Sequence, residues 1–140
     1  MPNYIVDTSV LADFLVTGTY TPNVETLILS LDRTTNLLVP EFSLVECTNV
    51  LWKRVRFQNL PQEEAETLIA DLRLLPLIFM SINTVLTRSL QIGVEHQLAI
   101  YDSVYIALAE KYGYPLITAD TKQEKAARSV GVTIKPITDF

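Results

Sequence analysis

Short runs of β-prone apolar residues alternate along this chain with segments whose apolar residues recur at helical spacing. That alternation restricts the fold more than any other feature. Tyr4-Ile5-Val6 is the first run, and the turn and cap residues Asp7-Thr8-Ser9 follow it at once. Val10, Leu11, Phe14 and Leu15 then keep a helical period that Gly18 ends. Pro22 to Leu31 predicts a second helix, and Leu37-Leu38-Val39, closed by Pro40, a buried strand. Helices are expected from Ser43 to Phe57 and, beyond the breaker Asn59-Leu60-Pro61, from Gln62 to Arg73. Leu77 to Met80 reads as a short strand, and Asn83 to Gly93 as a helix capped by Asn83. Asp102 to Tyr112 has the cleanest helical stripe, Tyr101, Val104, Tyr105, Leu108 and Tyr112, with Gly113 where a C-terminal cap belongs. A strand from Pro115 to Thr118, a helix from Lys122 to Val130 and a last strand from Val132 to Ile134 complete the pattern. Strands separated by helices join a mostly parallel sheet covered on both faces. With no internal repeat or linker, residues 1–140 are expected to form one α/β domain.

Composition bounds the chemistry. Hydrophobic residues make up 49% and charged residues 19%, enough to build a sizeable core. A single cysteine, Cys47, and a single histidine, His96, exclude an internal disulfide framework and a closed four-ligand zinc site. Cys47 is expected to pack as a small apolar residue, His96 to be structural or exposed, and the setting to be reduced and cytoplasmic. The longest apolar run, Leu74 to Met80, is interrupted by Pro76, whereas a membrane span needs about 20 residues. The N-terminus lacks the basic-then-apolar order of a secretory signal. The net charge of −5 argues against a broad basic surface for nucleic acid. None of Gly18, Gly93, Gly113 and Gly131 forms a phosphate-cradling loop, which disfavours a nucleotide-binding or P-loop enzyme.

In an open α/β sheet, ligands bind at the carboxyl ends of the strands. Asp7 follows the first strand, Glu46 lies in the first turn of the long helix after the second, Asp102 opens the cleanest helix, and Asp120 comes two residues after Thr118. Singly, each has a plain structural role: Asp7 and Asp102 as helix N-caps, Asp120 as a turn or cap residue, Glu46 as a first-turn glutamate favoured by the helix dipole. Together they would make an oxygen-only site suited to Mg²⁺ or Mn²⁺. Neutralising all four would take the net charge from −5 to −1, so the acidic balance nearly equals this one set.

The residues around the acids carry a resemblance. Ile5-Val6-Asp7-Thr8-Ser9-Val10-Leu11 resembles the opening motif of PIN-domain ribonucleases, above all the VapC-like toxins of toxin–antitoxin pairs. Val39-Pro40 with Ser43-Leu44-Val45-Glu46, Asn49 and Leu51 resembles their second acidic segment. Tyr101-Asp102-Ser103-Val104-Tyr105-Ile106-Ala107-Leu108-Ala109-Glu110 resembles the third, and Leu116-Ile117-Thr118-Ala119-Asp120 the fourth. Each motif alone is weak; four in order, over essentially the whole chain, are specific. The resemblance implies a three-layer α/β/α sandwich with a central parallel sheet, a Mg²⁺ or Mn²⁺ site and endoribonuclease activity. It gives Asp7, Glu46, Asp102 and Asp120 as the catalytic acids, with Asp7, Asp102 and Asp120 on the metal, and prefers Glu46 to its neighbour Glu41. Thr8, Ser9 and Thr118 match hydroxyl positions that orient a carboxylate or a metal-bound water. It also implies a small cognate antitoxin and a homodimer.

Hydrolysis of RNA would need cations to hold the backbone. Lys53, Arg54 and Arg56, near the end of the Glu46 helix, and Lys122, just past Asp120, are the candidate phosphate contacts, with solvated helix faces as the plain alternative. Tyr101, Tyr105 and Tyr112 are expected in the core, and Trp52 in the core or an interface. Two other functions stay open: a PIN-like module that binds protein or RNA without cutting, and a metal-dependent phosphatase. The haloacid-dehalogenase type of phosphatase needs a second aspartate two positions after the first, where this chain has Ser9.

Overall fold

The computed structural model describes residues 1–31 and 33–140. Among the described residues four strands form one parallel sheet: β1 (Asn3–Val6), β2 (Asn36–Pro40), β3 (Ile78–Met80) and β4 (Leu116–Ile117). The α-helices described, which cover it, are α1 (Thr8–Leu15), α2 (Thr21–Leu29), α3 (Ser43–Phe57), α4 (Gln62–Arg73), α5 (Leu86–His96), α6 (Ile100–Tyr112) and α7 (Thr121–Ser129). The architecture is the expected α/β/α sandwich.

The strand order is β3-β2-β1-β4. From β1 the chain steps outward to β2 and β3, then returns across the sheet to pair β4 on the other side of β1. Because crossovers keep one hand, reversing the direction of travel moves the helices to the opposite face. Alternation along the strands matches this. Val6, Leu37, Val39 and Ile117 enter a core with Val10, Leu11, Leu27, Cys47 and Leu51 from the first helices. Ile5, Leu38 and Leu116 enter the other, with Ile92, Tyr105, Ile106, Leu108 and Ala127 from α5, α6 and α7. The winding therefore switches between β1 and β4, and at such a switch the loops leaving neighbouring strands diverge and open a crevice.

α3 and α4 have the predicted bounds, while other elements depart from expectation for local reasons. Asn83 is not a cap: it begins a 3₁₀ turn, Asn83–Val85, and α5 starts only at Leu86 and runs past Gly93 to His96. Gly93 stays helical because its bare Cα lets α5 approach the Leu98 carbonyl, which a Cβ would meet at 3.0 Å. Asp102 does not cap α6 either, since Ala99 holds that position and Asp102 lies in the first turn. Val132 to Ile134 forms no strand and contributes one bridge, Ile134 to Leu116. Gly113, at φ 68°, ends α6 as expected. Cys47 is fully buried. Of the stripe tyrosines only Tyr105 is in the core; Tyr101 is 60% and Tyr112 41% exposed. Trp52 is also exposed, against the edge of Phe57, so the core reading fails for Tyr101, Tyr112 and Trp52. Among the described residues no helix is long and apolar enough to cross a membrane.

Candidate active site

The crevice at the switch point is built first from the residues that follow β1 and β4. Asp7 follows β1 and caps α1, its Oδ2 accepting the Ser9 N–H at 3.2 Å. Asp120 follows β4 and caps α7, its Oδ1 accepting the N–H groups of Lys122 at 2.9 Å and Gln123 at 3.1 Å. The plain structural role predicted for both is thus fulfilled, and it leaves both charges close enough to Asp102 to act on it. β1 and β4 are hydrogen-bonded neighbours, and the Thr118 hydroxyl joins their ends, accepting from Asp120 N–H at 3.0 Å and lying 3.4 Å from Asp7 Oδ2. Ser9 Oγ accepts the Ala119 N–H at 3.0 Å and lies 3.4 Å from Thr118 Oγ1. Ser9 and Thr118 therefore bind the two loops together.

Glu46 comes in from α3 and is tied to the same point. Tyr105 donates to Glu46 Oε1 at 2.6 Å, and the Thr8 hydroxyl lies 3.0 Å from that oxygen and 2.8 Å from the Tyr105 hydroxyl. Glu41, its rival, is exposed after β2, and its backbone N–H goes to the Met80 carbonyl. Asp102, in the first turn of α6, is half-buried.

The acids feel one another. Burial raises the pKa of Asp7 most, opposed by hydrogen bonds from Ser9 and Gln123. Burial also raises Glu46, with the Asp7 charge adding to it against hydrogen bonds from Tyr105 and Thr8. Asp102 is pushed up to about 6, first by desolvation and then by the charges of Asp7, Asp120 and Glu46, with Lys122 the opposing cation. Four like charges sharing a crevice in this way make an oxygen-only site with excess negative charge, the donor chemistry of a hard divalent cation. Among the described residues no three His, Cys, Asp or Glu side chains converge closely enough to hold one ion directly. That spacing suits an ion such as Mg²⁺, which keeps several waters and binds through one or two carboxylates.

Two residues of this crevice escape the sequence reading. Tyr105 falls on an apolar stripe and reads as packing, although its place three residues after Asp102 puts both on one helix face. Gln123 follows Asp120 in an Asp-x-x-Gln pattern that reads as a capping box, yet its side chain turns away. It is fully buried, with Nε2 3.0 Å from the Asp102 carbonyl oxygen and 3.4 Å from Asp7 Oδ1. Of the candidate phosphate contacts, Lys122 is exposed beside Asp102. Arg54 bonds Gln58 and Arg56 lies over Phe57; with Lys53 they sit about 10–15 Å along α3 from Glu46. His96 is 3.8 Å from Glu95. Beside Glu46 a groove of about 450 Å³ is lined by Phe42, Val45, Asn49, Val50 and Tyr101.

A parallel α/β/α sandwich that gathers four acidic residues at its switch point defines the class of protein. Residues 4–129 match the PIN domain, and the chain belongs to that family. It is 33% identical over 82 residues to the ribonuclease VapC3 of Pyrobaculum aerophilum, an alignment covering 57% of this chain and 63% of that relative. The fold matches the crystal structure of PAE2754 from the same organism with a TM-score of 0.76 at 22% identity, over 99% of this chain and 85% of the other. It matches Mycobacterium tuberculosis VapC20, a sarcin–ricin-loop-cleaving toxin, with a TM-score of 0.67 at 16% identity, over 88% and 94% of the two chains. At these identities the two structures share the fold with this chain.

Proposed function

We propose that this chain is a metal-dependent endoribonuclease and the toxin of a toxin–antitoxin pair. The observation that carries the reading is the gathering of Asp7, Glu46, Asp102 and Asp120 at the β1–β4 switch, each of the first three raised in pKa. Membership of the PIN family and the likeness to a ribonuclease support it.

In this reading Asp7, Asp102 and Asp120 would hold Mg²⁺ or Mn²⁺ directly or through bound waters. The cation, when bound, supplies a nucleophilic water at neutral pH and neutralises charge on the departing oxygen. The chain's own residues do the rest. Thr118 and Ser9 keep the Asp7 and Asp120 loops at a fixed separation. Glu46, held by Tyr105 and Thr8, presents a carboxylate on the α3 side that accepts a proton from an attacking water. Lys122 stands at the rim, where it meets a backbone phosphate; Lys53, Arg54 and Arg56 touch RNA that extends along α3.

The apolar groove beside Glu46, with the exposed side chains of Val45 and Tyr101, is the seat for a small antitoxin, whose binding there would cover the crevice. Leu86, Leu90 and Val94, spaced four apart and exposed on α5, offer an apolar stripe for a homodimer. The protein acts in the cytoplasm.

The test is cleavage of single-stranded RNA by pure protein with Mg²⁺, with Mn²⁺ and with chelator, beside the Asp120→Asn variant. Cleavage confined to the metal-loaded wild type supports the reading. Cleavage in every condition belongs to a contaminant and removes it, as does none in any.

A further inference from the structure

Asp120-Thr121-Lys122-Gln123 has the form of a capping box, in which the glutamine would turn back to the Asp120 N–H. Thr118 already accepts that N–H at 3.0 Å, so the glutamine is released for another task. Its Nε2 reaches the Asp102 carbonyl oxygen at 3.0 Å and Asp7 Oδ1 at 3.4 Å, while its backbone N–H donates to Asp120 Oδ1 at 3.1 Å. A single residue thereby touches three chain segments that each carry one of the acids.

The direction of the amide is dictated by its neighbours. Reversed, its oxygen would face a carboxylate and a carbonyl, two acceptors with no proton to offer. In the observed direction Oε1 is buried and has no partner among the described residues. Methionine or leucine would fill the same space without an unpaired acceptor, so packing does not explain a glutamine here. The amide has one property that no lysine or arginine shares: it gives Asp7 a donor without adding a positive charge. The crevice keeps its full negative charge for a cation while Asp7 is held in place.

We infer that Gln123 is a positioning residue of this site, a neutral clamp that fixes Asp7 against the first turn of α6 and so sets the spacing at which the acids meet a divalent cation. The inference rests on the metal-dependent reading proposed above. Outer partners of this kind are commonly worth 10–100-fold in metal affinity.

The experiment is Mn²⁺ titration followed by the electron-spin signal of the free ion, with thermal melting in parallel, on wild type, Gln123→Met and Gln123→Glu. Gln123→Met loses both donors at nearly constant volume, and its half-saturating Mn²⁺ should rise by about tenfold or more. Gln123→Glu places a fifth carboxylate against Asp7. It should melt below wild type in chelator and recover when Mn²⁺ is added. Should Gln123→Met not fold, this second variant carries the test by itself. Mn²⁺ uptake by Gln123→Met at the wild-type concentration, or a Gln123→Glu protein that melts like wild type in chelator, overturns the clamp alone. A wild type that takes up no Mn²⁺ removes the metal reading beneath it.

Discussion

Asp7 and Asp120 both follow neighbouring parallel strands, the first at once and the second after two residues, and both sit at the N-cap of the next helix, yet their surroundings differ. Asp7 is 5% exposed, and hydrogen-bond partners lie within 3.2–3.4 Å of both its oxygens. Asp120 is half-buried beside exposed Lys122, and its bonds within the described residues all go to Oδ1, from the first turn of α7. The first is an anchor whose charge the fold holds out of water; the second is a cap with an oxygen to spare. One short-range device has thus been adapted to two tasks, and substitutions that separate cap from charge show how far they have diverged.

The largest effect is expected at the anchor. Asparagine caps helices as well as aspartate does, so Asp7→Asn removes the charge and keeps the local structure. Cleavage should fall by about 10³-fold. Because burial raises the Asp7 pKa, the charge opposes folding at neutral pH, and the variant should melt no lower than wild type in chelator. A variant that cleaves normally would reduce Asp7 to a cap.

At Asp120 two variants divide the roles. Asp120→Asn should lose about 10²-fold in cleavage with little change in melting. Asp120→Ala should show the same loss and also be destabilised by about 1 kcal/mol through the missing cap. Equal melting of the two would mean that the capping bonds to Lys122 and Gln123 carry no stability.

A smaller effect is expected on the α3 side. Tyr105→Phe takes the 2.6 Å donor from Glu46 and leaves Thr8. A cleavage loss of about tenfold, borne by kcat and not by KM for RNA, would mark a residue that orients Glu46. A loss of stability with kcat unchanged would return Tyr105 to the core role that its apolar stripe suggests.

This asymmetry explains what could be read from the chain in advance. α3 and α4 were legible to the residue because each combines an apolar period with a break at either end. The succession of strands along the chain, the last excepted, and the four acids were legible because acidic residues at strand ends and in the first turns of helices are conspicuous. Long-range partnerships were not. Tyr105 carries an apolar ring in a buried stripe, and nothing local reveals that its hydroxyl meets Glu46, 59 residues away. Gln123 was hidden by a stronger local pattern, the capping box, which Thr118 pre-empts from two residues before Asp120. The exposure of Tyr101 was equally hidden, since helical period alone does not show that Phe42 packs on one side of the ring while the groove leaves the other open.

The finest distinction concerns the shared charge itself, and pH reads it. Asp7, Glu46 and Asp102 all have raised pKa values, Asp102 at about 6 against an unperturbed 3.8. Between those two values the folded protein binds more protons at Asp102 than the unfolded chain does. Stability from this group is therefore fully present below about pH 4 and is lost as pH rises through 6. In chelator, wild type should gain a few degrees in melting temperature relative to Asp102→Asn as pH falls from 7.5 to 5. With saturating Mn²⁺ the sign should invert, because protons then compete with the ion for the same oxygens. Since Asp102 is partly exposed, both shifts should be modest and should shrink with salt. Two curves of opposite slope would show that one set of carboxylates exchanges protons for a cation. Parallel curves would mean that the acids around Asp7 and Asp120, though gathered at one strand junction, do not act as a single site.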